Sequence, residues 1–195
     1  MSKNKYGVFM VASKRQLTYK VVVVGDGAVG KTSLIKQYVT RVFSKQYLAT
    51  VGIQVYRKTY DLGEETITAV IWDLAGQIGY QKVQKIFFLD ANAVIYVYDI
   101  TRRESFDGLD GWHELVKKYA PNALSIMCGN KSDLKLEREV SSEEGLEKAR
   151  KFGCLFFLET SAKTSIGVDD LFDMLLELLL IFKNKEGKEK EIVES

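Results

Sequence analysis

Runs of consecutive apolar residues alternate along the chain with longer segments whose apolar residues recur every three or four positions. Residues 19–24 form a β-branched run, which predicts a parallel strand buried on both faces. Residues 31–41 repeat apolar side chains at helical spacing. Residues 53–62 and 66–72 are two extended segments joined by a short turn that contains Gly63, and so short a connection predicts an antiparallel hairpin.

The rest of the chain continues this alternation. Further strands are predicted at residues 93–98, 124–128 and 154–158, and further helices at residues 104–119, 142–152 and 168–182. The pattern predicts a three-layer α/β fold, in which a six-stranded, mostly parallel sheet with one antiparallel strand is covered by about five helices. Ligands bind beyond the carboxyl ends of the strands in such sheets, so we expect the chemistry of the protein in the loops that follow the strands.

The composition is that of one globular domain. The chain has 195 residues, of which 46% are hydrophobic and 28% are charged, and this apolar content is too high for a disordered chain. Its 28 Lys and Arg residues nearly balance its 26 Asp and Glu residues, which gives no indication of nucleic-acid binding. Four of the bases and no acid lie within the first 17 residues, so the rest of the chain is slightly acidic.

The two cysteines and the single histidine do not indicate a site. Cys128 and Cys154 lie in apolar runs, so we expect buried thiols in a reducing compartment. His113 lies beside the apolar stripe of a predicted helix, so we expect a solvated side chain without an acid–base role. Residues 7–12 lack a cleavage signal, and no run approaches the ~20 apolar residues of a membrane span. A cytoplasmic protein is therefore expected.

The first loop with a recognisable chemistry is GDGAVGKT at residues 25–32, which matches the phosphate-loop pattern G-x-x-x-x-G-K-[ST]. A buried strand precedes it and a helix follows it, and this context disfavours a plain glycine-rich turn. Such a loop directs backbone N–H groups at phosphate oxygens. Lys31 would reach the β- and γ-phosphates, and the Thr32 hydroxyl would ligate Mg²⁺. The candidate contacts are Asp26, Gly27, Ala28, Val29, Gly30, Lys31, Thr32 and Ser33.

The second loop is WDLAGQ at residues 72–77, after the third predicted strand. Asp73 is placed to hold Mg²⁺, directly or through water, and the Gly76 N–H is placed to meet a γ-phosphate. A D-x-x-G sequence alone is a common turn. It becomes informative here because it follows both a hydrophobic strand and a phosphate loop.

The third loop is NKSD at residues 130–133, after the fifth predicted strand. A fixed carboxylate such as that of Asp133 can accept hydrogen bonds from both N1 and N2 of guanine, whereas adenine offers no donor there. The wrong base would leave a buried carboxylate unpaired, so such a site discriminates steeply. A polar loop is the alternative, and the order of the three motifs favours the guanine site.

With these motifs, residues 18–182 resemble the Ras-like small GTPases, and among them the Rab branch. The Rab likeness depends on YLATVG at residues 47–52 and VYDIT at residues 97–101. The resemblance implies that ETSAK at residues 159–163 is a second guanine loop, in which the Ala162 N–H meets the base oxygen. The guanine-binding residues that it implies are Asn130, Lys131, Asp133, Ser161, Ala162 and Lys163.

The same resemblance assigns roles in the two switch segments. Phe43 is placed like the aromatic residue that covers the guanine, and Tyr47 like the one that closes over the phosphates. Thr50 is placed like the threonine that ligates Mg²⁺ when a γ-phosphate is present, and Gln77 like the glutamine that orients the attacking water. Leu48 stands where heterotrimeric relatives carry an arginine. The resemblance therefore implies slow intrinsic hydrolysis that requires an activating protein.

The function implied is a Mg²⁺-dependent GTP/GDP switch in signalling like that of membrane traffic. Effectors would bind the switch loops, an exchange factor and an activating protein are expected, and the protein would be a monomer. One alternative is a GTP-binding interaction module with little or no hydrolysis. Another is a P-loop kinase or ATPase, which the guanine motifs disfavour.

The chain departs from the family in several places. It reads QIGY at residues 77–80, where Gln-Glu-Arg-Phe is usual, and residues 50–55 lack the Asp-Phe pair typical of Rabs. The identity of the effectors therefore does not follow from the resemblance. No cysteine follows Cys154, and residue 2 is Ser2, so neither prenylation nor myristoylation of this sequence is expected.

Three segments are expected: a basic and aromatic extension at residues 1–17, a Ras-like domain at residues 18–182 and a charged tail at residues 183–195. The extension has two interpretations. It could contact an anionic membrane surface weakly, or it could pack along the domain or form an unstructured leader.

Overall fold

The computed structural model describes residues 14–39, 45–46, 53–74 and 85–193, with residues 45–46, 53 and 183–193 described by their backbone alone. The strands are β1 (Arg15–Val24), β2 (Lys45–Gln46), β3 (Ile53–Asp61), β4 (Glu65–Leu74), β5 (Ala93–Asp99), β6 (Leu124–Asn130) and β7 (Phe157–Thr160). The helices are α1 (Lys31–Val39), α2 (Arg103–Asp107), α3 (Leu109–Tyr119), α4 (Ser142–Lys151) and α5 (Val168–Val193).

One sheet contains all of these strands, in the order β2-β3-β4-β1-β5-β6-β7. Strands β4, β1, β5, β6 and β7 are parallel to one another, whereas β3 runs antiparallel to β4. The predicted mixed sheet is confirmed. The two-residue strand β2, which the apolar pattern did not predict, is antiparallel to β3.

Helices cover both faces of the sheet, so the predicted three layers are confirmed. On one face, α1 and α5 bury Leu34, Ile35 and Leu175 against β1, β4 and β5. On the other face, α2, α3 and α4 bury side chains such as Leu109 and Trp112. The inner strand β5 is buried along its whole length, as expected for a parallel strand with helices on both faces.

Several element bounds differ from the predicted ones. Strand β1 begins at Arg15, where residues 15–18 extend its pairing with β4, although the sequence pattern placed residues 15–17 in the extension. The single helix predicted at residues 104–119 is divided at Gly108 into α2 and α3, with near-helical backbone angles at the junction. Strand β7 begins at Phe157 rather than at residue 154.

Helix α5 continues to Val193, past the predicted end at residue 182. Residues 183–193 are rich in Lys and Glu, which favour a helical backbone. In the described part of the chain, no helix combines the length and the apolar character that crossing a bilayer requires.

Candidate functional site

The loop of residues 25–30, which we call the phosphate loop, connects the end of β1 to the start of α1. Two of its glycines lie where a side chain would not fit. A Cβ atom on Gly25 would come within 2.1 Å of the Val97 carbonyl oxygen, and a Cβ on Gly30 within 2.3 Å of Asn130 Nδ2. Both residues also have positive φ angles, which glycine adopts at little cost. The sequence therefore allows the backbone to curl tightly against β5 and β6.

Lys31 spans the phosphate loop from its C-terminal end. Its ammonium group donates hydrogen bonds of 2.8 Å to the carbonyl oxygens of Gly25 and Asp26. Burial lowers the pKa of Lys31 to about 8, against the opposing effect of the Asp73 and Asp26 carboxylates. Burial makes the positive charge costly, so a bound anion would stabilise it.

The Asp26 side chain is held away from the interior of the loop. Its Oδ1 accepts a 3.1 Å hydrogen bond from Nε1 of Trp112, a fully buried residue of α3. Its Oδ2 lies 2.5 Å from where a Cβ atom on Gly108 would stand, so a side chain at the α2–α3 junction would displace the Asp26 carboxylate. Because the Asp26 carboxylate faces Trp112 and Gly108, the contact predicted between Asp26 and a ligand would be made by its backbone.

Thr32 and Asp73 form an oxygen-rich pair next to Lys31. The Thr32 hydroxyl donates to Asp73 Oδ2 across 2.5 Å, and the Asp73 side chain is buried in β4. Burial raises the pKa of Asp73, while the Thr32 hydrogen bond and the Lys31 charge lower it. Asp73 Oδ1 is buried and has no hydrogen-bond partner among the described residues. Hard oxygen ligands in this arrangement fit Mg²⁺.

Asn130, at the end of β6, connects three loops. Its Nδ2 donates to the Val29 carbonyl oxygen across 2.8 Å. Its Oδ1 accepts hydrogen bonds of 3.2 Å from the Ala162 N–H and from the Thr160 hydroxyl. The predicted phosphate loop and both predicted guanine loops are thus joined by one buried side chain.

Asp133 is fixed by the second guanine loop. Its Oδ1 accepts a 2.6 Å hydrogen bond from the Ser161 hydroxyl, which in turn accepts one from the Thr164 N–H. Its Oδ2 lies 3.9 Å from Nζ of Lys163, whose side chain is 79% exposed. An ion pair so exposed contributes little, so the Ser161 contact determines where the carboxylate lies.

A cavity of about 320 Å³ opens beside these groups. It is lined by Gly30, Ser33, Asn130, Lys131, Asp133, Leu134, Ala162 and Lys163. All of these residues except Leu134 are sequence-predicted site residues, so the fold brings the predicted guanine contacts to one place. Leu134 offers an apolar surface for a planar base, and its only sequence signal is its position directly after NKSD.

Five predicted residues lie outside the described part of the chain. They are Phe43, Tyr47, Thr50, Gly76 and Gln77. Their roles remain predictions from the resemblance.

Comparison with known proteins identifies the family. A model of the Ras family matches residues 20–181. Ras-related protein Rab-17 of Mus musculus is 43% identical over 171 residues, which make up 87% of this chain and 79% of the relative. The chain belongs to the Ras family. This confirms the family resemblance of the sequence motifs.

Other relatives of this Ras-family chain also carry Rab names. Ras-related protein Rab-2B of Dictyostelium discoideum is 37% identical over 163 residues, 83% of this chain and 80% of the relative. Ras-related protein RABA4b of Arabidopsis thaliana is 37% identical over 181 residues, 92% of this chain and 80% of the relative. The Ras-family protein is therefore a Rab-like small GTPase, a switch that binds guanine nucleotides and hydrolyses GTP.

Proposed function

We propose that this GTPase recognises guanine through Asp133, with the base lying in the cavity beside Leu134. The observation that carries the proposal is the hydrogen bond from Ser161 to Asp133 Oδ1, which holds the carboxylate at the wall of the cavity. Oδ2 has only the distant Lys163 ammonium beside it among the described residues. Oδ2 and the remaining lone pair of Oδ1 are therefore available to accept from the N1 and N2 donors of guanine.

On the phosphate side, Lys31 would move its hydrogen bonds from loop carbonyl oxygens to the β- and γ-phosphates. Thr32 and Asp73, together with Thr50, would hold Mg²⁺ directly or through water. Bound there, Mg²⁺ neutralises phosphate charge and orients the phosphate chain. The buried, unpartnered Asp73 Oδ1 supports this assignment because a cation would compensate its charge.

For hydrolysis, Gln77 would orient the attacking water. Leu48 supplies no charge where a built-in arginine would act, so an activating protein would provide the missing positive group. Intrinsic hydrolysis would then be slow. The Ras example indicates that such a partner can accelerate the reaction by about 10⁵-fold.

The protein would act as a cytoplasmic monomer in signalling of the membrane-traffic type. Residues 15–182 would form the nucleotide-binding domain, with effectors on the switch loops and an exchange factor acting on the bound nucleotide. Residues 1–14, which precede β1, carry Lys3, Lys5 and Lys14 without an acid, and Lys14 pairs with Asp61 across 2.6 Å. This segment would contact an anionic membrane surface through Lys3 and Lys5.

Replacing the proposed base acceptor tests the function directly. We expect Asp133→Asn to weaken GTP binding by about 100-fold and to strengthen binding of xanthosine triphosphate, because an amide group donates where the carboxylate accepted. Affinities for GTP, xanthosine triphosphate and ATP would be measured by competition with a fluorescent nucleotide. Asp107→Asn, on the exposed surface of α2, is the matched control. Unchanged base selectivity in Asp133→Asn would reject the assignment.

A further inference from the structure

The turn that connects β5 to α2, residues 99–102, contacts both ends of the nucleotide site. It overlaps VYDIT at residues 97–101, which carries the Rab likeness, and it lies outside the phosphate loop and both guanine loops. Asp99 is the last residue of β5 and Arg102 is the residue before α2. Each directs a charged group at a residue of the site.

Arg102 contacts the phosphate loop from outside. Its guanidinium donates a 2.5 Å hydrogen bond from Nη2 to the carbonyl oxygen of Gly27. The C=O and N–H of one trans peptide group point in opposite directions. A bond that holds the Gly27 carbonyl oxygen outward therefore turns the Ala28 N–H inward, to the side where phosphate oxygens bind.

The Gly27–Ala28 peptide group precedes a residue with an unfavourable backbone conformation. Ala28 has a φ angle of 62°, a left-handed conformation that costs a non-glycine residue free energy. If the peptide group rotated, the Gly27 carbonyl oxygen would face the phosphates and repel them. The Arg102 bond opposes that rotation.

Asp99 contacts the other end of the site. Its Oδ2 lies 2.6 Å from Nζ of Lys131 in the first guanine loop. Its Oδ1 accepts from the Thr101 N–H and hydroxyl across 3.0 and 2.8 Å. Burial raises the pKa of Asp99, and the Lys131 and Thr101 contacts outweigh burial so that the pKa lies below its usual value. Asp99 therefore carries the charge that holds Lys131.

The turn between these two residues is itself fixed. The fully buried Ser105 donates to the Arg102 carbonyl oxygen across 2.7 Å and accepts from the Asp99 N–H across 3.0 Å. The Arg102 N–H bonds to the Asp99 carbonyl oxygen, and the Ile100 N–H bonds to the carbonyl oxygen of Asn130. Asp99 and Arg102 thus act from a rigid part of the fold.

We propose that Arg102 and Asp99 are positioning residues that determine how long the nucleotide stays bound. Arg102 holds the Gly27–Ala28 peptide group in the orientation that binds phosphate, and Asp99 holds Lys131 beside the base cavity. The proposal rests on the guanine-nucleotide binding proposed above.

Arg103 provides a matched control because it is the next residue and makes different contacts. Its guanidinium binds the Glu144 carboxylate across 2.8 and 3.1 Å and the Glu139 carbonyl oxygen across 2.6 Å. Arg102→Gln and Arg103→Gln remove the same charge from adjacent positions. Only the first removes a contact to the phosphate loop.

The experiment measures dissociation of a fluorescent GDP analogue from the full chain in Mg²⁺ after addition of excess GDP. Loss of one charge-assisted hydrogen bond predicts that Arg102→Gln dissociates about tenfold faster than the wild type. Arg102→Lys, which keeps a cationic donor, should restore part of the difference, and Arg103→Gln should match the wild type. Equal rates in Arg102→Gln and Arg103→Gln, or no rescue by lysine, would overturn the proposal for Arg102.

Asp99 is tested through its coupling to Lys131. We expect Asp99→Asn and Lys131→Met each to speed dissociation several-fold, and the double variant to be no faster than Lys131→Met alone. Additive effects would show that Asp99 acts on stability and not through Lys131. Wild-type protein that does not prefer GTP to ATP would instead refute the proposed function, so the two failures are distinguishable.

Discussion

The two halves of the nucleotide site are held in place by different means. On the guanine side, defined here as Asn130, Asp133, Ser161 and Ala162, the polar groups are hydrogen-bonded to one another. On the phosphate side, defined as Lys31, Thr32 and Asp73, a buried ammonium and a buried carboxylate lie close together. The first arrangement fixes directions in advance, whereas the second concentrates charge.

This difference separates selectivity from affinity. A fixed acceptor such as Asp133 rejects bases whose donors do not match it, because the wrong base leaves the carboxylate unpaired. Buried charges bind any nucleotide that carries the same phosphates and cation. The guanine side should therefore determine which base binds, and the phosphate side should determine how tightly every nucleotide binds.

The largest effect is expected on the phosphate side, for Lys31→Met. The hydrogen bonds of Lys31 to the β- and γ-phosphates would be lost, so GTP should bind about 100-fold more weakly and GDP, which has no γ-phosphate, about tenfold more weakly. The ratio of GTP to xanthosine triphosphate affinity should not change. Titration with fluorescent nucleotides measures both quantities, and Lys117→Met, at an exposed position of α3, is the control. A changed base ratio would contradict the separation.

The Gln77→Leu variant separates hydrolysis of GTP from its binding. It removes the side chain proposed to orient water, so single-turnover hydrolysis of bound GTP should slow by about tenfold or more, while affinities for GTP and GDP stay close to those of the wild type. Gln16→Leu, at an exposed position of β1, is the control. Equally negligible hydrolysis in wild type and variant would favour a binding module.

Much of the fold and most of the site follow from local sequence. The strand β1, the phosphate loop and α1 are consecutive, so the apolar run and the glycine spacing of residues 19–32 suffice to predict them. The same holds for Asp133, whose proposed role follows from its place in a motif directly after a buried strand.

Contacts between distant segments could not be predicted in this way. Arg102 and Gly27 are 75 residues apart, and nothing in the local pattern around either residue indicates the hydrogen bond. The sequence predicts a solvated His113, but the His113 ring stacks on the ring of Phe152, the residue that follows α4. The two ring centroids are 4.0 Å apart. Such contacts depend on how helices pack across the sheet, which periodicity alone does not determine.

A smaller effect is expected from removing the Thr32 hydroxyl. The adjacent residue Ser33 also carries a hydroxyl, so its removal is a matched control. Thr32→Ala removes a proposed Mg²⁺ ligand, so the slowing of GDP dissociation by Mg²⁺ should weaken by about fivefold. Ser33 is exposed, and Ser33→Ala should retain the full Mg²⁺ effect. Dissociation rates with Mg²⁺ and with a chelator measure it. If GDP also dissociated faster from Thr32→Ala than from the wild type in the presence of the chelator, Thr32 would have a structural role instead.

The smallest expected effect is on the pH dependence of stability, and it arises from His113 in α3, outside both sides of the site. Burial, with Lys117 and Lys151 adding to it and Glu114 and Asp110 opposing it, lowers the pKa of His113, and Nδ1 lies 3.1 Å from the Tyr96 hydroxyl. The neutral ring is therefore favoured in the folded state, while the unfolded chain takes up a proton near pH 6.5.

Below pH 6.5 the unfolded state binds more protons, so the stability contributed by neutral His113 is lost as the pH falls and levels off below the folded pKa. His113 is the only histidine, so few other side chains titrate in this window. Between pH 7.5 and 5.5, the melting temperature of the wild type should fall by about 1 °C more than that of His113→Phe, which keeps an aromatic ring on Phe152. Base selectivity should stay constant in both proteins, because neither side of the site contacts this ring. Identical pH profiles would show that the packed histidine titrates as freely in the folded protein as in the unfolded chain.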